Sequence, residues 1–368
     1  MKYIVNFYEA AKTYLQSRGI AWFDLEAVNR VIKFLGEVGD FTTSTQLDEA
    51  GILSGMKFPT GREAGYILKF LWYLGLVKAK YHRGRFYYSL NRKGAQYLRL
   101  LKRGGEVAVT PMLYSAAVKW SPIKVMLTYL HLKGEAKIQD IVSDLGSDML
   151  YWTKIMSDFG FKIRRKVVKK PFNDFVVREC LKPLAEQLCL VESSNGKMKL
   201  TEMGRQVILK TSTAEWEIIR SRPREPLIYA ATVSTILDTS QATMVSPWID
   251  VKTAKTLTSG LKKHSSIQQL RIIVRKPNPE TRKAIKIISE EISQLGASVQ
   301  VRATPVRGPL TLHAKTTVTA NQATITSANL QYTSLWKNFE LGVYYKQTPE
   351  ELSNLIEDLW ETAQPIQL

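Results

Sequence analysis

Cysteine is nearly absent, with 2 in 368 residues. That scarcity fits a reducing compartment, and no Cys/His cluster shows zinc-ligand spacing. Cys180 and Cys189 lie in a stretch that reads as helix, where their spacing turns them to different faces. Long apolar runs are also missing. The longest are broken by Lys, Arg or Gly, so no bilayer span and no membrane partner are expected. The opening residues, MKYIVNFYEAAKTYLQSRG, lack an apolar stretch leading to a small-residue cleavage site. An intracellular, cytoplasmic protein is therefore expected. The composition is otherwise ordinary for a globular chain, at 45% hydrophobic and 23% charged.

Negative charge is in short supply. Lys and Arg number 52 against 33 Asp and Glu, a formal net of +19. The excess is uneven. Residues 227–368 carry 15 basic and 11 acidic side chains, leaving 37 basic and 22 acidic before them. A field of that size gathers polyanions, and nucleic acid leads because Lys and Arg on phosphates release counterions.

The residue pattern divides the chain into a leading helix (1–25), a first unit (26–106), a second (107–219), a Pro- and Arg-bearing linker (220–226) and a last domain (227–368). In the first unit, EAVNRVIKFLGE and GREAGYILKFLWYLGLV place apolar residues at helical spacing, with a short helix between them at 43–50. LVKAKYHRGRFYYSLN then alternates around Arg83-Gly84-Arg85 as a hairpin, and NRKGAQYLRLL returns to helix. This order resembles a winged-helix DNA-binding domain. The resemblance implies a groove-reading helix near 61–74, bearing Arg62 and Lys69, and a wing bearing Lys80, Arg83 and Arg85 among aromatics. The alternative is a winged helix that contacts only protein, its aromatics filling its own core.

The second unit repeats the theme. Helices are expected at 122–134, 136–146 and 147–159, with another near 174–188. LCLVESSNGKMKLTEMGRQVILK reads as strand, Asn195-Gly196 turn, strand and helix, which resembles the close of a winged helix. Residues 161–170, FKIRRKVVKK, hold the densest basic patch: Lys162, Arg164, Arg165, Lys166, Lys169 and Lys170. They suit a phosphate backbone, or equally an edge strand guarded by lysines.

From 227 onward strands alternate with helices, an α/β sheet. The strand ATMVSPWID ends in Ser246-Pro247-Trp248. Three clusters follow: His313-Ala314-Lys315, Thr326-Ser327-Ala328-Asn329 and Asn338-Phe339-Glu340-Leu341-Gly342. In order and spacing they resemble the phospholipase D superfamily, whose members carry His-x-Lys on a strand, Gly-Ser-x-Asn after the next, and then a Glu. The fold class expected is thus multidomain: two mainly α winged-helix-like domains and a C-terminal α/β phospholipase D-like domain.

The resemblance implies a phosphodiesterase. A neutral His313 imidazole attacks phosphorus to form a phosphohistidine. Lys315, Asn329 and Ser327 hold the phosphate oxygens. Glu340 bonds the far nitrogen of the His313 ring and fixes its tautomer. The other histidines, His82, His131 and His264, lie outside any second His-x-Lys, so the chain supplies half a site and the resemblance implies a homodimer in which each copy gives one histidine. No metal or cofactor is expected, and double-stranded DNA is the expected partner. Two departures stand out: Ala320-Asn321 where the family has Asp, and Thr326 where it has Gly. The expected function is a metal-independent endonuclease. The alternative is a DNA-binding regulator whose degenerate phospholipase D-like domain dimerises or senses a ligand.

Overall fold

The computed structural model describes residues 3–17, 23–56, 63–163, 168–212, 215–305 and 312–366. The chain divides into two units. One holds Met1–Ile4, Thr13–Met149 and Val167–Ser212; the other holds Val5–Lys12, Leu150–Lys166 and Thr213–Leu368. No helix among the described residues is long and apolar enough to cross a membrane.

After α1 (Phe7–Gln16), the first unit follows its apolar periodicity. Helix α2 (Leu25–Val38) buries Val28, Val31, Ile32 and Leu35, the residues its spacing picks out. Asp24 accepts from the Ala27 N–H at its start, and Gly39, at φ 68°, closes it. Helix α3 (Ser44–Glu49) opens on a capping box between Thr43 and Gln46. Then come α4 (Glu63–Tyr73), β1 (Val77–His82), β2 (Arg85–Leu90) and α5 (Arg92–Ala117). The hairpin turns through Arg83 and Gly84, both at positive φ. Thr42 bridges Tyr88 in β2.

The same order recurs downstream. It runs α6 (Ser121–Lys133), β3 (Glu135–Lys137), α7 (Ile138–Asp158), a 3-10 turn (Lys170–Phe172), α8 (Asp174–Val176), a π-helical turn (Val177–Leu181), α9 (Lys182–Gln187), β4 (Val191–Ser194), β5 (Lys197–Leu200) and α10 (Glu202–Ser212). Strand β3 pairs with β5, the second strand of its hairpin, as Thr42 does with β2. Both hairpins are locked alike. Asn91 and Thr201 cap the following helices by accepting from the N–H groups of Gly94 and Gly204. A Cβ on Gly94 would sit 2.0 Å from the Leu76 carbonyl oxygen, and one on Gly204 2.1 Å from that of Leu190. Only glycine permits helix and strand to approach so closely.

Several elements differ from the sequence expectation. The helices expected at 136–146 and 147–159 are one, α7. Ile141, Leu145, Met149, Trp152 and Met156 are all buried, so a single helical stripe runs past Gly146. Helix α5 runs through residue 106, interrupted only at Gly105 (φ 64°, ψ −154°). Residues 220 and 221, expected in a linker, close the strand β6 (Trp216–Ser221), and a tight Arg222–Glu225 turn follows. Cys180 is buried, Cys189 is exposed, and both are free.

The second unit continues with α11 (Leu227–Leu237), β7 (Gln241–Val245), α12 (Val251–His264), β8 (Gln269–Arg275), α13 (Pro279–Ser293), β9 (Ser298–Thr304), β10 (Thr316–Val318), β11 (Ala323–Thr326), α14 (Tyr332–Lys337), β12 (Glu340–Tyr345), α15 (Glu350–Thr362) and β13 (Gln364–Pro365). Its eight strands lie in the order β13-β9-β8-β7-β10-β11-β12-β6. β7, β8 and β9 are parallel; the other pairings are antiparallel. Helix α11, every residue of which is buried, covers one face. It is pinned by Ile228 N–H to Ser221 Oγ at 2.8 Å and by a 2.9 Å contact between the Thr235 and Thr324 hydroxyls. On the other face Ile356 and Trp360 of α15 pack on Val245, Ile273, Val318 and Ala323. Each such fully buried aliphatic side chain contributes about 1.5–3 kcal/mol.

Candidate active site and nucleic-acid surfaces

Strand direction determines where the chemical groups meet. The parallel strand β7 leaves the sheet at Ser246, at the edge where β10 enters after Lys315. β11 leaves there at Ser327, and β12 enters there at Glu340. All three motif clusters therefore converge outside the carboxyl ends of the parallel strands, where open α/β sheets place their sites.

His313 and Lys315 lie just before β10 rather than within it. His313 is exposed and Lys315 is buried. The Lys315 ammonium lies 3.2 Å from His313 Nδ1 and donates to the His313 carbonyl oxygen at 2.8 Å. Burial pushes the Lys315 ammonium below the usual lysine range, and the Glu340 charge opposes that shift. Ser327 Oγ donates to Glu340 Oε2 and accepts the Leu341 N–H at 3.1 Å. The Glu340 carboxylate is thus taken by Ser327, and the expected contact with the His313 ring is replaced by that of Lys315. Asn329 Oδ1 is buried with no partner among the described residues. A half-turn of that amide presents its N–H donors at the same place.

The two departures from the family pattern have distinct structural settings. Ala320 and Asn321 sit in the β10–β11 turn, at the far end of β10 from His313. Thr319 Oγ1 organises that turn by accepting from Gln322 N–H at 3.0 Å. Thr326 donates to the Leu341 carbonyl at 3.2 Å and accepts from Ala328 N–H at 3.0 Å. It braces the motif turn, and Gly342 opposite leaves it room.

Of two supporting residues, sequence reasoning marked Ser246 only as a strand end and missed Asp250. Asp250 accepts from Tyr332 N–H at 2.5 Å and from Thr253 N–H at 2.7 Å. Ser246 Oγ accepts from Leu330 N–H at 3.1 Å. Together they tie the Asn329 loop to the end of β7. The one available signal was the Asp before α12, a helix cap. Beside them the Lys252 ammonium lies 3.4 Å over the Tyr332 ring. Trp336 stacks on Tyr332 and also meets Phe161 and Tyr229, so it is core as much as surface. Among the described residues no three His, Cys, Asp or Glu side chains gather to hold a metal ion.

In the first unit the expected DNA contacts separate. Lys80, Arg83 and Arg85 are exposed on the hairpin, with Lys80 held 4.0 Å over the Phe41 ring. Lys69 is only half-exposed, and no residue of α4 is fully exposed. Tyr73 OH donates to the Leu15 carbonyl at 2.9 Å, and the Lys170 ammonium lies 5.8 Å from the Tyr66 ring. Burial, then the Lys69 charge, pushes Lys170 below the usual lysine range. The helix expected to enter a groove thus has Tyr66, Lys69, Trp72 and Tyr73 half-buried. Arg62, Arg164, Arg165 and Lys166 lie outside the described residues. Lys162 and Lys169 are exposed, and no strand forms in the described part of 161–170.

No family model and no curated protein matches this chain. Among solved structures it is similar to Nuc of Salmonella typhimurium, a phospholipase D family member, at 16% identity and a TM-score of 0.34, over 42% of this chain and 100% of that one. It is similar to NucT of Helicobacter pylori at 12% identity and 0.30, over 41% and 100%. It is similar to TrmBL2, an archaeal chromatin protein, at 12% identity and 0.28, over 74% and 99%.

Proposed function

We propose that this protein is a DNA-binding phosphodiesterase: a metal-independent endonuclease with a phospholipase D-type half-site and two winged-helix-type folds that hold duplex DNA. The observation that carries this reading is the gathering of His313, Lys315, Ser327, Asn329 and Glu340 at one sheet edge, with the Lys315 ammonium 3.2 Å from the His313 ring. The repeated hairpin-to-helix lock around Gly94 and Gly204 supports the winged-helix part.

In the reaction, His313 attacks phosphorus through one ring nitrogen. Lys315 turns from the ring to the phosphate oxygens, and Glu340 turns from Ser327 to the other ring nitrogen. The leaving oxygen takes a proton from the His313 imidazolium of a second copy; that ring, now neutral, takes a proton from the water that then cleaves the phosphorus–nitrogen bond and frees the first His313. An uncovered apolar sheet face beside Glu340, bearing exposed Ile218 and Leu341, supports the pairing of two copies.

The test is plasmid nicking in EDTA by the wild type and by His313→Ala. EDTA-resistant nicking that the variant loses is the expected result. A second reading, a DNA-binding regulator without catalysis, is favoured by one observation, the engagement of Glu340 with Ser327. Tight DNA binding with no cleavage in either protein would establish it.

A further inference from the structure

From Ala64 to Gly105 the chain holds no Asp or Glu, yet it holds 10 Lys and Arg. Five of these fall on α5, and of the five Arg92, Arg99 and Arg103 share one side of the helix. At about 100° per residue they lie within about 40° of one another on the helix, in a stripe ~16 Å long. All three are exposed, and none meets a carboxylate among the described residues. Several other cations of the same unit are neutralised: Lys133, Arg178, Lys182, Lys197, Lys199 and Arg205 each meet one. The opposite side of α5 is fixed inward, with Tyr97 and Leu101 buried and Tyr97 OH donating to Asn29 Oδ1 at 2.8 Å. A cavity of about 550 Å³ opens beside the stripe, with Arg92, Arg99 and Ser89 in its wall. Helix α4, by contrast, has no fully exposed residue.

We propose that the outer face of the first half of α5, through Arg92, Arg99 and Arg103, seats the sugar–phosphate backbone of duplex DNA. Among the described residues the charge is unpaired, it lies on one helical stretch that ends before Gly105, and its length meets several phosphates of one strand, which rise about 3.4 Å apiece. This assignment rests on the nucleic-acid reading above. It predicts binding that is strong in charge and weak in sequence, because phosphate contacts position a duplex without reading it.

The experiment measures the affinity of the full-length protein for a random-sequence duplex across a series of salt concentrations. Three proteins are compared: wild type, Arg92→Ala/Arg99→Ala/Arg103→Ala, and Lys133→Ala/Lys199→Ala/Arg205→Ala. The last loses the same charge from paired positions. The α5 variant should lose about 2.7 from the slope of log K against log salt, at about 0.9 per phosphate contact. The paired-cation variant should keep the wild-type slope. If the alanine variant misfolds by circular dichroism, Arg92→Lys/Arg99→Lys/Arg103→Lys and Arg99→Glu replace it. The lysine protein should keep the slope, and Arg99→Glu should weaken binding at least tenfold in low salt. Equal slopes for the two triple variants overturn the assignment and leave nucleic-acid binding standing. A wild type that binds no duplex in low salt overturns both.

Discussion

Two influences on Lys315 pull its charge in opposite directions. Burial depresses its pKa and Glu340 raises it. The ammonium is present below its pKa and lost above it. Phosphate binding should therefore fall away on the alkaline side at a lower pH than an exposed lysine would give. In Glu340→Gln the opposing charge is gone, and that limb should move to still lower pH. Titrations of inorganic phosphate binding or cleavage rate would show it, and an unmoved limb would remove Glu340 from the electrostatics of the site. Asn329 gives a second prediction. Its buried acceptor lacks a partner among the described residues, a situation that costs about 1–3 kcal/mol. Asn329→Ala should thus hold or raise the melting temperature while weakening phosphate binding, and a clear loss of stability would count against a ligand-facing role. The motif residues were legible in the sequence because their chemistry is distinctive. Asp250 and the bracing role of Ser246 were not, since their work is to accept backbone N–H groups. Nor was the engagement of Glu340 with Ser327, which is a choice among side-chain rotamers.

At the level of elements, the two hairpin-to-helix joints invite substitution. Gly94→Ala and Gly204→Ala place a methyl group against a backbone carbonyl. Each should cost at least about 1–3 kcal/mol, read from denaturant unfolding, and a neutral result would mean the helix shifts freely. The joints differ one residue before the close contact. The first has Gly75 at φ 72° and the second has Cys189 at φ 53°. Left-handed backbone costs a non-glycine residue roughly 1–2 kcal/mol, offset in part by the chain entropy of glycine. Cys189→Gly should therefore stabilise by up to about 1 kcal/mol. Turns and amphipathic helices were readable from the sequence because period and cap residues agree. The merging of 136–146 and 147–159 into α7 was not, because Gly146 reads as a break while the buried stripe passes it by. β6 escaped notice because its exposed Trp216 and Ile218 break the usual half-buried alternation, and only pairing with β12 makes it a strand.

Across the molecule, the uncovered face of β6 and β12 carries Trp216, Ile218 and Leu341, with Phe339 and Ile325 nearby, all exposed. If two copies meet there, Ile218→Glu or Leu341→Glu should convert a dimer to a monomer in sedimentation and abolish nicking, while leaving duplex binding by each copy detectable. A wild type that sediments as a monomer at micromolar concentration would refute the pairing. The second unit is also discontinuous, taking Val5–Lys12 and Leu150–Lys166 as well as the last stretch of chain. Tyr8 lies 4.9 Å from Tyr344, ring to ring, and its hydroxyl donates to Glu217. On the ribosome, then, the start of α1 has to wait for β12 to be made. Nascent chains stalled before that strand should bare aromatic side chains to chaperones, and late truncations should be degraded more readily than their small size suggests.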